Sequence, residues 1–179
     1  FIHLIREKCE VVAVSGAKDF RTERLRGARV WFSPLDAAAR EGFDRLWRDL
    51  LGADRERGAM VEVLGRRIEF PRSAGGMLRA SFAELCGAAL GPQDYLAVAE
   101  GFHTVFLEGV PRLTPDKRNE ARRLVTLIDA LYEAKTRLIV LAEAEPEALY
   151  PAGDGAFEFE RTVSRLQEMR SADWLTRER

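Results

Sequence analysis

The sequence predicts an α/β fold with a partly parallel sheet, flanking helices and a small β-hairpin, and three patterns carry that expectation. Residues 103–108 and 137–142 are short apolar runs on either side of a long amphipathic stretch over 115–134. A strand, helix and strand in that order form a βαβ unit, which joins parallel strands through a crossover. Residues 60–82 are strand-like, with Val61, Val63, Leu64, Ile68 and Phe70 and turn signals at Gly65 and over 71–76, as in a hairpin or small meander. Residues 35–51 set Ala38, Phe43, Leu46, Trp47, Leu50 and Leu51 against Arg40, Asp44, Arg48 and Asp49, the two faces of an amphipathic helix closed by Gly52.

The remaining elements follow in order. Phe1, Ile2, Leu4, Ile5 and Cys9 fall near helical spacing, so residues 1–8 read as the tail of a helix whose beginning is missing. An apolar face left without its mate predicts poor solubility in isolation. Residues 10–14 and 28–32 read as strands, the second stopped by Pro34, and 53–58 as a charged loop. Pro92 opens a helix over 93–102, and Thr114, Pro115 and Asp116 supply a cap, a first-turn proline and a dipole-compatible acid for the helix that follows. The polar stretch 151–155 leads into one final helix over 157–175, and 176–179 should fray.

With 46% hydrophobic and 32% charged residues in 179, the bulk of the chain is globular rather than disordered. A net charge of -1 gives no field toward phosphate backbones, so nucleic acid is not an expected partner. Cys9 and Cys86 have no ligand spacing, which argues against zinc or a disulfide framework and for a reducing, cytosolic setting. No apolar run approaches the roughly 20 residues of a membrane span. The opening Phe1-Ile2-His3-Leu4-Ile5 lacks the marks of a signal peptide and reads as the start of a fragment.

Phosphate chemistry in a βαβ protein usually relies on GxxxxGK[ST], whose backbone N–H groups and lysine surround the phosphates. That motif is absent; Gly16-Ala17-Lys18 and Gly75-Gly76 read as turns. Glu108 ends an apolar strand, as an acid that holds Mg²⁺ does, though a plain strand-end carboxylate has the same pattern. His103 has no partner at metal-ligand spacing, and neither a GxSxG elbow nor a cysteine motif supports acyl transfer. Arginines crowd two helices: Arg112, Arg118, Arg122 and Arg123 near the start of one, Arg161, Arg165 and Arg170 along the other. Guanidinium groups suit phosphates and carboxylates alike, so nucleotide contact, subunit contact and pairing within the chain are all open readings.

Several ordered blocks carry a family resemblance. Ser81-Phe-Ala-Glu-Leu-Cys86, Leu90-Gly-Pro-Gln-Asp-Tyr-Leu96, Phe102-His-Thr-Val-Phe-Leu-Glu-Gly-Val-Pro111, Arg118-Asn-Glu-Ala-Arg-Arg123, Leu127-Ile-Asp-Ala-Leu-Tyr132 and the stretch from Phe159 to Met169 resemble the ZapE family of cell-division ATPases. The mitochondrial relatives of that family are the lactation-elevated, AFG-type ATPases. Gly16-Ala-Lys-Asp-Phe20 and Phe32-Ser-Pro-Leu-Asp36 resemble the same family, so the likeness covers essentially the whole chain.

The resemblance implies the C-terminal region of a P-loop NTPase-like, AAA-type ATPase: residues 1–58 as the end of the core, 59–90 as a β-rich insertion, and 91–179 as a C-terminal α/β region. It implies ATP and Mg²⁺ for the full-length protein, with phosphate loop, acidic strand and sensor strand all ahead of Phe1, so this piece alone is not expected to hydrolyse ATP. The order from Glu108 to Tyr150 looks like a weakened echo of those parts. Arg118, Arg161 and Arg165 match family blocks; one of the latter pair is expected to reach the nucleotide, with Arg165→Ala lowering turnover more than thermal stability. Implied partners are FtsZ or other division-ring proteins, the missing N-terminal half and further copies of the chain, at the division site in the cytoplasm. Mitochondrial relatives imply inner-membrane protein quality control instead. The rival expectation is a non-enzymatic module that binds a protein through its helical faces.

Overall fold

The computed structural model describes residues 16–177. The helix tail read over 1–8 and the strand read over 10–14 lie outside them. The described chain opens with α1 (Gly16–Leu25), so Gly16-Ala17-Lys18 starts a helix rather than a turn. Tertiary contacts override the weak helix preference of glycine there: Leu25 is buried, and Arg21 donates to the carbonyls of Leu50 and Gly75 at 3.0 Å each.

A short strand β1 (Trp31–Phe32) precedes α2 (Ala37–Leu51). Asp36 caps α2, its Oδ1 accepting from the Ala39 N–H at 2.7 Å, and Gly52 ends it at φ 58°. Strands β2 (Arg57–Val63) and β3 (Arg66–Ala74) form an antiparallel hairpin, and β4 (Met77–Ser81) returns against β3. After a single π-turn over Ala83–Gly87 come α3 (Pro92–Gly101) and β5 (Thr104–Val110). A 3₁₀ turn over Pro115–Lys117, headed by Thr114, leads into α4 (Arg118–Glu133), followed by β6 (Arg137–Ala142). The stretch read as one final helix is two, α5 (Ala156–Met169) and α6 (Ala172–Thr176), because Ser171 breaks the run and caps the second piece through its Oγ and the Trp174 N–H, 3.2 Å apart.

Among the described residues all six strands join one sheet in the order β1-β6-β5-β4-β3-β2. The four strands from β1 to β4 in that order are parallel, and the hairpin extends the sheet antiparallel. The β-rich stretch over 59–90 therefore shares its sheet with the segments on either side. Strands β4, β5 and β6 are covered on both faces, which explains their nearly continuous apolar sequence. Alternate residues serve opposite layers. Leu78, Val105, Leu107, Leu138 and Val140 pack under α3, α4 and α5, whereas Met77, Phe106, Ile139 and Leu141 pack against α1 and α2.

Phe106 sits at the centre of the second layer, edge-on to Phe43 at 5.2 Å and to Trp47 at 5.0 Å between ring centroids. Trp47 also donates its indole N–H to Glu56 at 2.8 Å, and Arg72 holds the same carboxylate in two bonds of 2.8 and 2.9 Å. One edge of the sheet is thereby tied to α2. At the amino end of β6, buried Arg137 donates to the carbonyls of Leu175 and Arg177 at 2.7 and 3.3 Å and to the Thr22 hydroxyl at 3.2 Å, tying α1 to the C-terminal segment. Among the described residues no helix is long and apolar enough to cross a membrane.

Two outcomes test this packing. Phe106→Ala empties the meeting point of three aromatic rings and should cost about 3–5 kcal/mol in urea unfolding. The Arg72 bond, with help from Trp47 and against burial, holds the Glu56 carboxyl below its ordinary value of 4.5. A depressed acid stabilises the fold above its unfolded value and loses that contribution as pH falls through the folded one. Glu56→Gln should therefore lower the unfolding midpoint near neutrality, and the two midpoints should converge well below pH 4.5.

Candidate functional site

Ligands of open α/β sheets gather at the carboxyl ends of the parallel strands. In this sheet that edge carries Ser33 after β1, Glu143 and Glu145 after β6, Glu108 near the end of β5, and Ser81 at the end of β4, with Ser81 in register with Glu108. Glu108 is not an open carboxylate. Arg79, on the neighbouring strand and 6% exposed, donates to its Oε2 from Nε at 3.0 Å and from Nη2 at 2.5 Å, and reaches Asp44 Oδ1 of α2 at 2.6 Å. The same guanidinium lies 5.0 Å from the centre of the Phe43 ring. One nearly buried cation thus bridges two carboxylates, with both of its bonds to Glu108 falling on Oε2.

The rest of the edge is engaged in the same manner. Glu145 accepts from the Ser33 hydroxyl at 2.6 Å and from Arg170 at 2.9 Å. Burial opposes its ionisation, but those two donors outweigh it and hold the carboxyl below its ordinary value. Arg170 also stacks over Trp31 at 5.5 Å, which fastens α5 to β1. Glu143 accepts from the Arg112 N–H at 2.8 Å. Among the described residues no group of histidine, cysteine and carboxylate side chains could hold a metal ion. Cys86 is buried in the core, and burial pushes its thiol far above the usual range, so it is no nucleophile. His103 bridges Thr104 Oγ1 at 2.8 Å and the Gly75 carbonyl at 2.9 Å across the Gly75-Gly76 turn.

The arginines singled out from the sequence divide into two kinds. Arg161 and Arg165 share a face of α5 and point at α4. Arg161 bonds Asp129 at 2.8 Å, and Arg165 bonds both Asp129 and, at 3.2 Å, Glu133. Arg165 further covers the Tyr132 ring at 4.7 Å, and Tyr132 stacks on Trp174 at 4.7 Å while donating to Glu168 at 2.6 Å. This column of charge and rings joins α4, α5 and α6. Arg118 is of the other kind: exposed at the start of α4, with no ion pair among the described residues. Arg122, one turn on, borders a cleft of about 340 Å³ whose wall includes Val125, Tyr150, Asp154 and Phe159.

Three partners were missed from the sequence. Arg79 is the one charge in Met77-Leu-Arg-Ala80, and a lone cation inside an apolar strand was the available signal that it must meet an acid. Asp129, inside Leu127-Ile-Asp-Ala-Leu131, carried the same signal. Asp44 had none, since it belongs to the polar face of its helix.

Comparison with known proteins adds what geometry lacks. The chain is 38% identical over 177 residues to cell division protein ZapE of Escherichia coli K12, covering 99% of this chain and 47% of that protein, and the O157:H7 protein gives the same figures. Lactation elevated protein 1 homolog B of Danio rerio is 30% identical over 215 residues, covering 100% of this chain and 43% of its own length. The chain spans about half the length of the curated relatives it matches. No solved structure matches it significantly. The mixed sheet flanked by helices is consistent with a P-loop NTPase-like fold, and the family model that matches residues 1–178 is that of the AFG1-like ATPases. The chain belongs to the AFG1-like ATPase family.

Proposed function

We propose that this chain is the C-terminal part of a ZapE-type ATPase that couples ATP hydrolysis to bacterial cell division, acting in the cytoplasm at the division site with FtsZ or other ring proteins as partners. The family match over residues 1–178 is the observation that carries the reading. Its ATP- and Mg²⁺-handling parts belong to other residues of the full-length protein: the sequence holds no GxxxxGK[ST] loop, and Glu108 is already bound to Arg79. This region serves the motor as a braced scaffold and is inactive alone.

Within that scaffold Arg161 and Arg165 act by holding α5 to α4 through Asp129, and Arg118 takes the nucleotide or neighbouring-subunit contact. An exposed guanidinium with no ion pair among the described residues supports that assignment for Arg118. In the full-length protein, Arg118→Ala should lower ATP turnover about tenfold or more, the loss of one charge-assisted bond to phosphate, with the thermal midpoint unchanged. Arg165→Ala should lower turnover and midpoint together. Unchanged turnover in Arg118→Ala overturns the assignment, and magnesium-dependent hydrolysis by residues 1–179 alone overturns the scaffold reading.

A further inference from the structure

Arg72 of β3 and Arg79 of β4 stand directly opposite each other in the sheet. Like charges in cross-strand register repel, and here both guanidinium groups lie over aromatic rings of α2, Arg72 at 5.9 Å from Trp47 and Arg79 at 5.0 Å from Phe43. Three carboxylates hold them there. Glu56 takes the Nε and Nη2 of Arg72, while Glu108 and Asp44 take Arg79. These five groups act as one set: Arg72 is kept in its charged form first by the bond to Glu56, against burial, and then by the fields of Glu56, Glu108 and Asp44. Two guanidinium groups against three carboxylates leave a surplus of one negative charge.

Within the set, two carboxylates converge on a single atom. Glu108 Oε2 and Asp44 Oδ1 lie 2.5 and 2.6 Å from the same Nη2 of Arg79. Oxygen-seeking divalent ions take carboxylate oxygens at about 2.0–2.6 Å, and one or two protein carboxylates with water often complete the shell. The Arg79 side chain is only 6% exposed, yet both acids keep an opening to solvent, 26% at Glu108 and 32% at Asp44. Glu108 also stands near the carboxyl end of β5, in register with Ser81 at the end of β4, where open α/β sheets hold their ligands. A positive charge, two converging carboxylates and a path for water therefore meet at one point, and the positive charge is a side chain.

We propose that Arg79 is a built-in counter-ion in a divalent-cation site formed by Glu108 and Asp44: with the guanidinium in place the site takes no metal, and without it the two carboxylates bind one. Withdrawing Arg79 leaves Arg72 alone against three acids, a surplus of two negative charges that one divalent ion cancels. It also leaves both carboxylates partly buried without a partner, which is costly until a cation returns. The site is separate from the handling of ATP and Mg²⁺ by the rest of the full-length protein, and its test reads no turnover.

The test follows thermal unfolding of the full-length protein, free of nucleotide and stripped of metal, as CaCl₂ or MgCl₂ is added, with NaCl at equal ionic strength as the control. Arg79→Ala should unfold at a lower temperature than wild type without metal, and millimolar Ca²⁺ should raise its midpoint by about 3 °C or more beyond the shift of wild type. Arg79→Lys keeps a cation and should behave as wild type does. Adding Glu108→Gln to Arg79→Ala should abolish the response. Arg79→Gln keeps hydrogen-bond donors for the carboxylates while deleting the charge, so it stands in where Arg79→Ala does not fold and should respond to metal in the same way. A response in both neutral variants no larger than in wild type, one that survives Glu108→Gln, or an equal one in Arg79→Lys would each overturn the proposal.

Discussion

The arrangement of this domain depends on keeping water from both faces of three parallel strands. Apart from Arg79, Ser81, Thr104, Glu108 and Arg137, the side chains of β4, β5 and β6 are apolar, so each face needs a cover of its own. Helices α3, α4 and α5 supply one cover, and α2 with α1 supplies the other. The period of the strand decides which residue meets which layer: Val105 and Leu107 face one side, and Phe106 between them faces the other, against Phe43 and Trp47. A strand slip of one residue would exchange the two sets, placing aromatic bulk where aliphatic side chains now pack.

Charge enters this framework as fastening. Where a guanidinium is withdrawn from solvent it must meet oxygen, and each of the main cases joins elements distant in sequence. Arg79 ties β4 to β5 and α2, Arg137 ties β6 to α1 and the C-terminal segment, Arg165 ties α5 to α4, and Arg170 ties α5 to the loop after β6. Two of these pairs, Arg79 with Glu108 and Arg170 with Glu145, lie at the carboxyl edge of the sheet, the customary place for a ligand.

How far the sequence discloses this structure follows from the range of each interaction. The βαβ unit from β5 to β6 and the helix α2 were readable because periodicity and caps are local signals, and the family resemblance was readable because several blocks occur in order. The start of α1 was not, since Arg21 and Leu25 are held by partners far along the chain. The break between α5 and α6 was visible only as Ser171, a residue common in helices and caps alike. β4 was taken into a meander because its hairpin neighbour is local, while its parallel pairing with β5 spans the whole of α3. At the site, Arg161 and Arg165 were found from spacing, but their partner Asp129 needed the packed helices to be known.

The contrast between Arg165 and Leu64 separates two ways in which a surface feature can be maintained. Arg165 is accounted for within the chain: it neutralises Asp129, covers Tyr132 and joins helices, so its presence needs no external partner. Leu64 has no such account. It is exposed, at positive φ, in the two-residue turn of a hairpin. The positive φ of an exposed leucine is held by the hairpin pairing around it, whereas Arg165 is held by the charges and rings it meets.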